Sequence, residues 1–218
     1  NGNGDATFQG QVGAAGQRLD DFTVDGNDTD LQQAVYAENM TFQGTSNADI
    51  LQIKGILDAN NQIVVGANNA TDRVETVTIN GVNLTSGSGV IFTGVAGGGP
   101  DVNVNLAGAT VTINGGAGVI GGPEAVLNTG ATAATLLSDG GVTLGGINGA
   151  GLLGLAPSTP GTDILIDSTG TGSGYVVPEA TLNGIANTFT DVSIGTPASG
   201  TVYVAENSNV NLSSRAWN

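Results

Sequence analysis

"PDVNVNLAGATVTINGG", residues 100–116, sets Val102, Val104 and Leu106 against Asn103 and Asn105, with Asp101 its only charge. Such a period of two marks a strand with one buried face and one face in water. The same pattern runs through "VETVTING" (residues 74–81), where Val77 and Ile79 oppose Thr76, Thr78 and Asn80. It returns in "TVYVAEN" (201–207) and "NVNLSS" (209–214). Clusters of Gly, Asn, Ser and Pro break these runs every ~8 to 15 residues, as turns do in all-β proteins. Six Asn-Gly pairs, among them Asn80-Gly81, Asn114-Gly115 and Asn183-Gly184, read as tight turns.

This spacing predicts an all-β fold: a β-sandwich or jelly-roll-like domain over residues 1–218, with one or two short helices. The alternative is an irregular β-solenoid. Fragments do recur: "TVTING" at Thr76 and Thr110, "PEAVLN" at Pro123 and "PEATLN" at Pro178, "VYAEN" at Val35 and "VYVAEN" at Val202. Their separations of 34, 55 and 167 residues share no period. A regular solenoid repeats at one period of about 20 to 30 residues, so the sandwich leads. Helix is expected over Thr29 to Glu38, where an Asp/Thr start precedes helix formers. The two Pro-Glu-Ala fragments each offer Pro at a first helical position and read as single helical turns.

Composition narrows the chemistry. The 218 residues include no Cys and no His, which excludes disulfides, thiolate chemistry and His-based acid–base or triad catalysis. Paired carboxylates are the remaining catalytic device, and nothing in the sequence selects a pair among 19 acids, so no enzyme activity is expected. With four Lys and Arg against those acids, the net charge of −15 disfavours nucleic acid and anionic lipid. No apolar run is long enough to span a bilayer. The chain opens on "NGNGDATFQG" rather than Met, which predicts a processed, exported form.

Charge is also uneven. Ten acids precede residue 74, while the 141 residues from Val74 to Ser214 hold nine acids and no Lys or Arg. An average domain would place roughly 35 charges there. A surface of Asn, Thr, Ser and Gly is therefore expected, hidden in part by neighbours of the same kind.

The densest acidic cluster, "DDFTVDGNDTDLQ" (residues 20–32), approximates a Ca²⁺ loop, with Asp21, Thr23, Asp25, Asp28 and Asp30 as candidate oxygen ligands around the turn at Gly26. Thr stands where a third-place acid is usual, and Gln32 replaces the bidentate Glu. A solvated loop capping the next helix is the competing reading. Lys54, the only lysine, shares a face with Gln52 and is expected to point to water. Sequons at Asn27, Asn39, Asn69, Asn83 and Asn211 are acceptors for glycans in a glycosylating host.

In overall composition the chain resembles structural subunits of bacterial or archaeal extracellular appendages and surface layers, and more loosely haemagglutinin-like adhesins. That resemblance implies a secreted homopolymer, such as a filament, tube or lattice, in which a terminal strand is donated to the next subunit's sheet. Residues 1–12 and 209–218 are then the candidate intersubunit strands or anchors; Trp217, beside Arg215, is expected either to anchor in a neighbouring subunit's groove or to pack on its own domain. The alternative is a binding module, an adhesin or a viral fibre or decoration protein.

Overall fold

The computed structural model describes residues 4–45, 49–66, 74–94, 102–167, 173–206 and 208. The opening stretch decides the architecture. Its two alternating runs become β11 (Val102–Ala107) and β12 (Thr110–Asn114), separated by a corner at Gly108. A hairpin would pair them with each other. Instead β11 pairs in parallel with strands of the preceding and following turns, and so does β12. Every strand ladder among the described residues is parallel. The sandwich or jelly roll, which needs antiparallel ladders, is thereby corrected to a β-solenoid of about six turns.

Three parallel sheets run along it. The first face stacks β1 (Ala6–Phe8), β3 (Thr29–Leu31), β5 (Asp49–Ile53), β8 (Val74–Asn80), β11 and the second halves of β13 (Ile120–Gly130) and β15 (Val142–Gly149). The second stacks the start of β4 (Val35–Gln43), β6 (Leu57–Ala59), β9 (Leu84–Ser86), β12, β14 (Ala133–Leu137), β16 (Leu152–Ala156) and β19 (Asp191–Ile194). The third holds β2 (Leu19–Asp25), the rest of β4, β7 (Ile63–Gly66), β10 (Val90–Thr93) and the first parts of β13 and β15. β4, β13 and β15 each bend across a corner and so belong to two faces.

The core consists of in-register columns. Leu51, Val77, Val104, Leu127 and Ile147 lie over one another on the first face. Val35, Leu57, Leu84, Ile113, Leu136 and Leu155 do so on the second, and Met40, Ile63, Val90, Ile120 and Val142 on the third. All are essentially inaccessible to solvent. Such stacking needs close approach of successive turns. At Gly121, with φ +114°, a side chain would run into the carbonyl oxygen of Thr143 on the next turn.

Past β16 the stack becomes irregular. β17 (Ile164–Asp167), β18 (Tyr175–Pro178) and β20 (Val202–Val204) form a parallel sheet ordered β18-β17-β20, out of chain order. β18 lies against the third-face part of β15. The single described helix, α1 (Glu179–Asn183), follows directly from β18.

Two helix expectations are corrected. Thr29 to Glu38 is β3 and the start of β4, because Thr29, Leu31, Val35 and Ala37 face inward at strand, not helical, spacing. "PEAVLN" is strand within β13, whereas "PEATLN" does supply α1, with Pro178 at its N-cap.

Candidate functional site

Alternation within each strand leaves one row of side chains outside. On the first face, Asp30, Gln52, Thr78, Asn105, Asn128 and Asn148 occupy a single column, one per turn. Neighbouring parallel strands lie about 4.8 Å apart, so like amides can bond along the column. The Asn148 amide donates to Asn128 Oδ1 and the Asn128 amide to Asn105 Oδ1, each at 3.1 Å. The ladder satisfies polar groups without charge and gives the later turns a neutral outer row.

Charge gathers at the other end. Lys54 Nζ reaches Asp30 Oδ2 at 2.9 Å, and the pairing holds the Asp30 carboxyl below its ordinary range. Lys54 is exposed, as its shared face with Gln52 implies. Arg18 donates to Asp58 Oδ2 at 2.9 Å and lies over the ring of Tyr36.

The five calcium candidates are not drawn into one loop. Asp21, Thr23 and Asp25 occupy alternate outward positions of β2, where strand geometry spaces them about 7 Å apart. Asp21 Oδ1 accepts from the Asn39 amide on the next turn. Asp28 sits at the following turn and accepts from the Ile50 N–H, and Asp30 faces Lys54 from β3. Among the described residues no group of three or more acids converges so as to hold a metal. The physical reason is that Asp21, Thr23 and Asp25 belong to β2 and Asp30 to β3, with Asp28 alone at the turn between them.

Of the sequons, Asn83 is exposed and its Oδ1 accepts from the Thr112 N–H. The Asn39 side chain is tied to Asp21, and the Asn27 side chain bonds the Thr45 hydroxyl. Asn69 and Asn211 lie outside the described residues. Of the candidate intersubunit segments, Ala6–Phe8 is β1, paired with β3, and Val12 bridges to Val35. Residues 209–218, including Trp217, lie outside the described residues.

Sequence reading missed two surface features. One is a groove of about 410 Å³ on the third face, lined by residues that include Ile91, Val119, Gly121, Pro123, Glu124 and Thr143. Ile91 and Gly121 are outward neighbours on consecutive turns, a relation visible only once the turns are in register. The other is β20, whose Val202, Tyr203 and Val204 are all about half exposed or more. No helix among the described residues is long and apolar enough to cross a membrane. In comparisons with known proteins, no family model, no curated protein and no solved structure matches this chain.

Proposed function

We propose that this chain is a non-catalytic structural subunit of an extracellular filament, tube or lattice built from copies of itself. The observation that carries the reading is the in-register stack of turns with a neutral outer row, from Thr78 through Asn105, Asn128 and Asn148. Each turn of a solenoid buries its backbone edges only against neighbouring turns. A long, sparsely charged stack neither repels a like copy nor attracts basic partners. The absence of Lys and Arg from Val74 to Ser214 also leaves that region without sites for trypsin-like proteases, which suits an extracellular setting. Electron microscopy and sedimentation across protein concentration and salt test the reading. Elongated or planar assemblies are expected; a monodisperse monomer under every condition overturns it.

The third-face groove supports a second reading, a binding module such as an adhesin or a viral fibre or decoration protein. Saturable binding to cell surfaces or arrayed glycans, lost when Val119→Asp places a charge in the groove, is its expected signature.

A further inference from the structure

We propose that copies of this chain stack end to end, the free edge of β20 in one copy pairing in parallel with the free edge of β2 in the next, so that Phe22 and Val24 seat over Val202 and Val204. The proposal rests on the self-assembly reading above and names the surfaces that would carry it.

Among the described residues, the core is left open at the C-terminal end. Val202 and Val204 are in register with Ile164 and Ile166 of β17 and face the same side of the sheet. Ile164 and Ile166 are buried, at 0% and 6% exposure, whereas Val202 and Val204 are 48% and 61% exposed. Their backbone is open too. The Ile164 N–H donates to Thr201 O and the Ala205 N–H to Ile166 O, both at 2.9 Å. In a parallel ladder successive residues turn their N–H and C=O to opposite sides. Val202 and Val204 therefore direct theirs away from β17, where no further strand lies among the described residues. An exposed apolar edge of this kind is a template for pairing with another chain.

The opposite end supplies the matching edge. β2 pairs only with β4 among the described strands, and the Gly26 N–H donates to Gln43 O. By the same alternation Asp21, Thr23 and Asp25 direct their backbone groups to the open side. Phe22 and Val24 point inward, at 8% and 7% exposure. Pairing Val24 opposite Val204 makes the Val204 N–H donate to Thr23 O and the Asp25 N–H to Val204 O. Phe22 then lies opposite Val202. Inward residues meet inward residues, and the third-face column continues from one copy into the next.

Charge argues for this pairing over β2 against β2, which would bring Asp20, Asp21 and Asp25 of two copies together; like charges across strands are unfavourable. β20 carries no charge, so the acids of β2 meet none on it. A copy translated along the axis also presents its edge parallel to β20, as every ladder in the fold is.

Two edge variants test this. Val204→Pro and Thr23→Pro each remove an N–H that serves no ladder within the chain, and edge strands tolerate Pro. Wild-type protein should grow in sedimentation with concentration. Each variant alone should stay monomeric at concentrations where wild type polymerises. An equimolar mixture should give dimers and nothing larger, since one variant keeps its β2 edge and the other its β20 edge. Dimers from Thr23→Pro alone would mean that β20 pairs with itself, and would overturn the proposal. Both variants polymerising like wild type would overturn it while leaving self-assembly standing. A wild type that never assembles overturns both. If a variant melts early, amide exchange on wild type decides: the Thr23, Asp25, Val202 and Val204 amides should gain protection as concentration rises. Protection already present at high dilution means that the chain's own residues cover these edges, and the proposal fails.

Discussion

"PEAVLN" at Pro123–Asn128 and "PEATLN" at Pro178–Asn183 differ in one residue of six, yet the first is strand and the second is helix. In the first, β11 pairs with Ala125–Asn128 and β15 with Val126–Asn128, so the second half of the segment is laddered on both sides, with Ala125 and Leu127 inward and Val126 outward. In the second, the segment meets the edge of β15 where the regular stack gives way to the β18-β17-β20 sheet. There the Leu144 N–H donates to Thr181 Oγ1 at 3.1 Å, and the Thr181 hydroxyl donates to Leu144 O at 3.2 Å. One side chain thus does for that edge what a further strand would do. Leu182, fully buried, fills the core below it. Local sequence sets little here; the presence or absence of a neighbouring turn sets much.

The largest expected effects come from the two equivalent leucines. Leu127→Ala and Leu182→Ala should each lower stability by about 2 to 5 kcal/mol, the range for truncating a buried leucine, measured by urea denaturation. A loss under about 1 kcal/mol at Leu182, below that range, would mean that α1 rests on the stack without closing it. The comparison sharpens at the one differing residue. Thr181→Val leaves the Leu144 N–H and C=O without partners and should cost about 1 to 3 kcal/mol. Val126→Thr, on an outward and half-buried position, should stay within about 0.5 kcal/mol of wild type. Equal effects at the two sites would break the contrast.

The same logic explains what the sequence revealed. Strand content was legible because alternation is local: Val102, Val104 and Leu106 face inward as their spacing requires. The arrangement of strands was not, because identical fragments serve different faces. "TVTING" at Thr76 lies in β8 on the first face, and at Thr110 in β12 on the second. Their 34-residue separation therefore measures no turn. The true repeat runs through Ala6, Thr29, Leu51, Val77, Val104, Leu127 and Ile147, which share no motif and lie 20 to 27 residues apart. Length varies because corners absorb insertions while the columns stay in register. The acidic segment from Asp20 misled for a related reason: Phe22 and Val24 make it a strand, and a run of acids on its outer row looks like a loop. The open edge of β20 had no local signal, since "VYV" reads as any buried strand.

The outer column of the first face carries a gentler version of the contrast. Asn128→Ala should remove both ladder bonds at a cost of up to about 1.5 kcal/mol, because these bonds are partly hydrated. The loss should appear as faster amide exchange around Asn105 and Asn148 before it appears in the global melt.

At the other end of that column Asp30 carries a carboxylate paired to Lys54, the one titrating group in the column. The hydrogen bond from Lys54 is the main cause of the lowered Asp30 pKa; desolvation opposes it, and the Gln32 amide adds to the lowering. A carboxylate with a folded pKa below its unfolded one stabilises fully above the unfolded value of 3.8 and loses that contribution as pH falls through the folded value. An exposed pair of this kind contributes about 1 kcal/mol at most. Acidification from pH 5 to about pH 2 should therefore loosen the turns around Asp30 in wild type and change them less in Asp30→Asn, which resembles the amide ladder further along. The Asn105–Asn128–Asn148 segment, with no titrating partner in its column, should keep its exchange protection over the same range. Equal loosening of both segments would mean that the column acts as one unit and that the charge at its N-terminal end is incidental to it.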